Sequence, residues 1–186
     1  ENLRNLVILS DQLVRANQIA NASVRQFSES LTSDAAVAAR EFGMGLETTM
    51  AILAGYASQG KKSAEAGNML GRATRLLKQA FSKNEEEFKK HNIQVVDSRG
   101  NYRDFIAIIR DMERAFAGMS GSQRSNALAD LGFEALAQKA ILPLIGLSDA
   151  LEDYRIKQHL AGGATKDVAD KQMTAFSKQV KAAWNE

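Results

Sequence analysis

The rarity of proline is the feature that most constrains the fold of this chain. Among 186 residues there is one proline, Pro143, and the thirteen glycines are spaced along the sequence rather than clustered in a linker. Because proline interrupts helices and glycine marks the joints between them, this pattern predicts a largely helical chain. The hydrophobic fraction of 45% suits one sizeable core, so we expect a single domain over residues 1–186.

Apolar residues recur at helical spacing in the first third of the chain. The stripe from Leu3 to Leu31 predicts one amphipathic helix, the longest in the protein. Ser33 or Asp34 is expected to cap the next helix, because both types accept hydrogen bonds from free helix N–H groups. We expect close helix packing at the glycines within that second helix, which are Gly43, Gly45 and Gly55.

A third helix is predicted to begin at Ser63, which is expected to cap it, and to bury the face from Ala66 to Phe81. On that face Gly67 is expected to permit a close helix crossing. Ser82 followed by Glu85 predicts a capping box that opens a further short helix. The helical part of the chain is therefore expected to cover residues 1–91.

Residues 92–104 are expected to form a break between two helical parts. Asp97 and Gly100 fit a tight turn, in which Asp initiates the turn and Gly tolerates positive φ. The flanking residues 93–96 and 101–105 predict a small two-stranded hairpin or an open turn. The predicted fold class is thus mainly α, a multi-helix domain with one short β-hairpin or turn near residues 93–104.

The second helical part, residues 105–186, shows further helix signals. The stripe from Phe105 to Phe116 predicts an amphipathic helix, and Ser120 with Gln123 predicts a capping box. Residues 127–147 are apolar enough to be central, and Pro143 marks a kink or a new helix start.

Two more helix starts are predicted near the end of the chain. Asp149 with Glu152 is expected to cap one helix, and Thr165 is expected to cap the last one after the break at Gly162-Gly163. The apolar stripe of that last helix comprises Ala169, Met173, Phe176, Val180 and Ala183.

The sequence does not support a catalytic site or a metal site. The chain has no cysteine, which excludes disulfides and cysteine-ligated zinc. The two histidines, His91 and His159, lie in separate polar segments, and the acidic run Glu85 to Glu87 is interpreted as solvated helix surface. We therefore predict no catalytic, cofactor-binding or metal-binding residues, no cofactor, and no enzyme activity.

The charge and hydropathy of the chain limit the classes of partner that it is expected to bind. The net charge is only +2, and basic and acidic residues alternate along the helices, so no nucleic-acid binding is predicted. No apolar run approaches the roughly 20 residues that span a bilayer. Arg99, Tyr102 and Arg103 are candidates for a protein-contact surface, because Tyr and Arg are common at interface hot spots. Trp184 is expected to pack on the last helix or on residues beyond this chain, which reads as a piece of a longer protein.

Two sequence blocks carry a resemblance to a known family. The first is Gly60 to Leu70, which contains the S-x-x-A-G pattern from Ser63 to Gly67, and the second is Val95 to Phe105, which contains hydrophobic-x-D-x-x-G-x-hydrophobic-R. The resemblance continues through residues 119–124, 128–133 and 163–184. Because the blocks occur in this order, the chain resembles the tail tape measure protein family of tailed phages and prophages. The chain differs at Asn68, where the family more often has Thr, and at Leu131-Gly132-Phe133, where it usually has Leu-Phe-Gly.

This resemblance implies a structural role in the virion. Tape measure proteins bundle together as helical coiled-coil homo-oligomers in the tail lumen, and tail tube protein polymerises around them. Assembly chaperones and tail-tip proteins are further implied partners, and assembly takes place in the host cytoplasm. The length of the tape sets the length of the tail. The alternative is a membrane-active or cell-wall-degrading module used during genome delivery, although membrane contact is expected only from other parts of the protein.

Overall fold

The computed structural model describes residues 2–172 and residue 174, and the fold is mainly α-helical, as predicted. The helices are α1 (Asn2–Ile19), α2 (Val24–Ser30), α3 (Ala36–Phe42), α4 (Leu46–Ser58), α5 (Ser63–Lys90), α6 (Phe105–Ala115), α7 (Gly121–Asp130), α8 (Ala135–Ile141), α9 (Ser148–His159) and α10, whose described part is 164–172. A π-helical segment, Leu31–Ala35, joins α2 to α3, and a 3-10 turn, Leu142–Leu144, follows α8.

Helix α4 lies at the centre of the fold. Its residues from Thr48 to Ala57 are all buried, and it packs against α1, α5 and α9. Gly55 permits the approach of α9, because a Cβ at this position would lie 2.5 Å from the Leu151 side chain. The buried Tyr56 hydroxyl donates a 2.6 Å hydrogen bond to the Ala140 carbonyl, which joins α4 to α8. The expected close packing is confirmed at Gly55, whereas Gly43 ends α3 with φ of 72° and Gly45 precedes α4.

The break between the two helical parts is confirmed. Helix α5 ends at Lys90 and α6 begins at Phe105. Between them a single antiparallel bridge pairs Val96 with Tyr102 around the Asp97 turn. The buried stripe of α6 and the capping box of Ser120 with Gln123 are also confirmed. Pro143 lies in the 3-10 turn after α8, where it marks the predicted kink.

The single helix predicted from Leu3 to Leu31 is wrong. The structure has α1 and α2 there, separated after Ile19, and the longest helix is α5. The physical reason is a capping box at the start of α2. The Ser23 hydroxyl accepts a hydrogen bond from the Gln26 N–H, and the Gln26 side chain accepts one from the Ser23 N–H. These bonds stabilise a helix start within the continuous apolar stripe.

Three predicted helix caps are absent. Neither Ser33 nor Asp34 caps α3, because the π-helical segment continues into it and the Ser33 hydroxyl donates instead to the Ser30 carbonyl. Ser63 is itself the first residue of α5, with φ of 55°. The box predicted from Ser82 opens no new helix, because α5 runs through it to Lys90 with a kink at Asn84.

The last two caps are supplied by distant acids rather than by the predicted residues. Asp149 lies in the first turn of α9 without capping it, and the Glu113 carboxylate accepts hydrogen bonds from the N–H groups of Gly146 and Ser148. At α10 the acceptor is Asp11, not Thr165. Of the predicted α10 stripe, Ala169 is exposed, whereas Met173, Phe176, Val180 and Ala183 lie outside the described residues.

Candidate functional site

The Ser63 to Leu70 block places its small residues against the segment that joins α2 to α3. A Cβ at Gly67 would lie 1.8 Å from the Ser33 Oγ and 2.2 Å from the Ser30 carbonyl oxygen. One turn later, a Cβ at Gly71 would lie 2.6 Å from Asp34. The predicted close crossing at Gly67 is therefore confirmed, and the S-x-x-A-G pattern here provides a helix-packing surface.

The Asp97 turn is stabilised by hydrogen bonds from its own backbone N–H groups to the Asp97 side chain. The Asp97 carboxylate accepts hydrogen bonds from the N–H groups of Asn101 at 2.9 Å and Arg99 at 2.8 Å. These bonds lower the pKa of Asp97, since they stabilise the charged form. Gly100 has φ of 82°, which explains the glycine at this position. The turn is thus structural, and its carboxylate oxygens are already engaged.

Tyr102 connects this turn to the helices. Its ring stacks on Phe42 at a centroid distance of 4.7 Å, and the Lys78 ammonium lies 5.2 Å from the Tyr102 centroid. Lys78 belongs to α5 and Phe42 to α3, so this aromatic and cationic cluster joins the second sequence block to both of these helices. Of the three residues proposed as a contact surface, Tyr102 makes these internal contacts and Arg99 remains exposed.

Arg103 is the third of those residues, and it is bound to a buried acid. Its guanidinium donates to Asp111 at 2.6 Å and to the Gln94 carbonyl at 2.7 Å. Asp111 is 6% exposed and also pairs with Arg114. A cavity of about 380 Å³ lies beside these groups and includes His91 in its wall. Asp111 belongs to α6, and Arg103 belongs to the segment of the turn. Their ion pair therefore links the turn to α6.

Asp11 joins the two ends of the described fold. Its carboxylate accepts hydrogen bonds from Gly163 N–H at 2.8 Å and from Thr165 N–H at 2.9 Å. The neighbouring Ser10 and Thr165 hydroxyls are 3.0 Å apart. Burial raises the pKa of Asp11, but the hydrogen bonds from Thr165 and Gly163 lower it more, so the net shift is downward. We call the contact between Asp11 and residues 163–165 the Asp11 clasp.

A groove lies between α5 and α8. Its volume is about 560 Å³, and its walls comprise Lys61, Glu65, Asn68, Met69, Arg72, Lys139 and Ala140. The residues from α5 lie on the solvent side of the S-x-x-A-G block, opposite the packed Gly67. Sequence analysis did not identify this groove, because its two walls come from segments about seventy residues apart.

The residues considered for metal or acid-base chemistry lie apart. His91 ends α5, whereas His159 ends α9 beside Glu152 and Arg155 in a different cavity. Glu85, Glu86 and Glu87 pair with Lys89 or Lys90 near the end of α5. Within residues 2–172, no three His, Cys, Asp or Glu side chains are grouped to hold a metal ion. Trp184 lies outside the described residues.

Comparison with known proteins adds one finding. The family model described as phage-related minor tail protein matches residues 5–132, which is more than half of the chain. The match includes both sequence blocks, the Asp97 turn and the α5 wall of the groove. No curated protein and no solved structure has significant similarity to the chain. None of the helices in the described part is long and apolar enough to cross a membrane.

Proposed function

The chain belongs to the phage-related minor tail protein family, and on that premise we propose that it is a folded module of a tail tape measure protein. Family membership makes it a structural component of the phage tail. The finer assignment is supported by the order of the S-x-x-A-G block and the Asp97 turn. In this role the protein acts without enzymatic chemistry, occupies the tail lumen in the virion, and assembles in the host cytoplasm.

The proposed partners follow from the same role. Copies of the full-length tape associate with one another, and tail tube protein, assembly chaperones and tail-tip proteins bind the tape. We propose no nucleic-acid partner, and we assign membrane contact only to other parts of the protein. The mixed signs of charge along the helices support a protein-binding rather than a nucleic-acid-binding surface.

The observation that carries the proposal of a folded module is the Asp11 clasp. Asp11 and Gly163 are 152 positions apart in the sequence, yet they are joined by a direct hydrogen bond. A helical ruler rises about 1.5 Å per residue, so a continuous helix over the same interval would extend roughly 225 Å. Because the chain returns to the position from which it started, this interval adds almost no axial length. The module therefore attaches to the ruler without lengthening it.

Two in-frame deletions in the phage gene test this function. The first removes residues 12–162, and the matched control removes the same number of residues from a helical region outside residues 1–186. We expect the control to shorten the assembled tails by about 1.5 Å per residue removed. The module deletion should leave the length of any assembled tails unchanged. Tail length is measured on electron micrographs.

The outcomes distinguish the tape measure role of the protein from the proposal that residues 12–162 add no length to the tape. If neither deletion changes tail length, the protein is not the tape measure. If the module deletion shortens tails by the full helical increment, residues 12–162 are part of the ruler. Release of peptidoglycan fragments by the purified chain, or leakage of anionic liposomes, would support the alternative of a delivery module instead.

A further inference from the structure

The groove between α5 and α8 carries positive charge that the fold does not neutralise. Arg72 and Lys139 line it, and neither side chain makes an ion pair or hydrogen bond with any residue of the described chain. Lys61 also lines the groove, but it pairs with Glu65 at 2.8 Å. The lining thus holds three cations and one anion, and two of the cations have no carboxylate partner among the residues that the structure describes.

Arg72 is the more informative of these cations. It lies half-buried on α5, between the buried residues Gly71 and Ala73. Two further partly buried cations of this protein do have acceptors, Arg103 at Asp111 and Lys78 at the Glu41 carbonyl. A guanidinium held in a cavity without an acceptor is ready to receive a carboxylate, which it binds in bidentate geometry.

The groove also has an apolar component. Met69 forms part of the α5 wall and Ala140 part of the α8 wall. Leu136 is 60% exposed and lies one helical turn before Lys139 and Ala140, so it extends the α8 wall beyond the cavity. Exposed leucine beside unpaired basic groups is the composition of a protein-binding groove, in which apolar anchors and charged rims alternate.

We propose that the groove between α5 and α8 binds an acidic amphipathic peptide segment of another tail protein, with its carboxylates on Arg72 and Lys139 and its apolar residues against Met69 and Leu136. The assignment of the partner to the tail rests on the proposed function, whereas the chemistry of the groove does not. The volume of about 560 Å³ accommodates a few side chains. This is the helix-in-groove or extended-peptide mode of recognition, in which a few anchors enter pockets.

Charge complementarity selects an acidic peptide over a nucleic acid. Nucleic-acid sites are basic stripes that follow a phosphate backbone. Here Glu65 lies in the same wall as Arg72, Met69 lines the groove, and Leu136 is exposed on α8. A segment that alternates carboxylates with apolar side chains satisfies both features.

Fluorescence anisotropy with the 186-residue chain tests the proposal. The probe is a short fluorescein-labelled peptide with glutamates on one helical face and leucines on the other. A twin peptide with glutamine in place of glutamate and a labelled single-stranded oligonucleotide serve as comparisons. We expect the acidic peptide to bind at least about tenfold more tightly than its glutamine twin, and its affinity to fall with added salt.

Matched variants locate the binding. Arg72→Glu with Lys139→Glu should weaken binding of the acidic peptide at least about tenfold. Lys166→Glu with Lys171→Glu makes the same change in net charge on the exposed α10 and should leave it unchanged. If the glutamate variant of the groove fails to fold by circular dichroism, Arg72→Gln with Lys139→Gln replaces it.

Four results would overturn the proposal, and the first three concern relative affinities. These are equal affinity for the acidic peptide and its glutamine twin, tighter binding of the oligonucleotide, and an equal effect of the groove and α10 variants. Absence of measurable binding by the acidic peptide would also reject it. None of these results depends on tail length. The groove proposal can therefore be rejected while the tape measure proposal stands, and the tape measure proposal can be rejected while the groove proposal stands.

Discussion

The Gly163 N–H donates a 2.8 Å hydrogen bond to the carboxylate of Asp11, a residue 152 positions earlier in the sequence. The adjoining Gln12, also buried, donates through its side chain to the Gln158 carbonyl at 3.0 Å. Helix α1 is thereby fixed both to α9 and to the start of α10. The free N–H groups at the start of α10 are satisfied by a side chain from the opposite end of the fold.

The first prediction concerns Asp11→Asn. Hydrogen bonds to a charged acceptor are stronger than those to a neutral one, so the variant should lower the free energy of unfolding by about 1 to 2 kcal/mol at neutral pH. Urea denaturation followed by circular dichroism measures this difference. Asp153→Asn is the control, because Asp153 lies in an exposed pair with Lys157 and should have a much smaller effect.

The effect of Asp11 should depend on pH. The folded-state pKa of Asp11 lies below its ordinary value, so its stabilising contribution is present above that ordinary value and is lost as pH falls through the folded pKa. The stability difference between the native chain and Asp11→Asn should therefore shrink in acid, as the pH falls below about 4, the ordinary pKa of an Asp carboxyl. A difference that is constant from neutral pH into acid would show that the charge on Asp11 contributes nothing.

The second prediction concerns Gly67. A Cβ there would lie 2.2 Å from the Ser30 carbonyl oxygen, a backbone atom that cannot move aside alone. Gly67→Ala should cost about 1 to 3 kcal/mol through overpacking, despite the better helix propensity of alanine, and Gly67→Leu should cost more. Thermal unfolding measures both variants.

Gly121→Ala is the matched control for Gly67. Gly121 lies in α7, and a Cβ there would meet no atom within 4 Å. Alanine should therefore be neutral there, or stabilising by up to about 1 kcal/mol. If Gly67→Ala behaves like Gly121→Ala, the close crossing of α5 with the segment after α2 is not present in solution.

The third prediction concerns Glu113, which caps α9 from α6. Its Oε1 accepts from Gly146 N–H at 2.6 Å and from Ser148 N–H at 2.8 Å. Glu113→Ala leaves both donors unsatisfied and should cost about 1 to 2 kcal/mol. Amide hydrogen exchange should speed up at the start of α9 before it does so in α4. Glu86→Ala, in an exposed pair with Lys89, should change neither quantity appreciably.

The fourth prediction concerns Asp111 and Arg103. Removing the buried carboxylate by Asp111→Ala leaves the partly buried Arg103 without its charged partner, so we expect a loss of about 2 to 3 kcal/mol. A double-mutant cycle with Arg103→Ala should show that the two changes are not additive. Additive losses would indicate that the pair is not coupled. Arg99→Ala, on the exposed turn, is the neutral control.

Local sequence patterns were sufficient to predict the features that depend on residues close together in the sequence. The buried face of α6, the Ser120 capping box and the Asp97 turn each arise from interactions within a few positions, and each was predicted. The division between α1 and α2 was also encoded locally, by Ser23 and Gln26. It was missed because the apolar stripe continues across the break, and periodicity alone does not show where a helix stops.

Tertiary structure determined the features that join distant segments. The N–H groups that begin a helix bind any acceptor within reach, so the caps from Asp11 and Glu113 replaced the local caps expected from Thr165 and Asp149. The groove exists because packing brings Arg72 of α5 next to Lys139 of α8, which no spacing in the sequence specifies. Residue types determined that the chain forms amphipathic helices, whereas the distances between those helices determined which charged groups of the described residues met a partner.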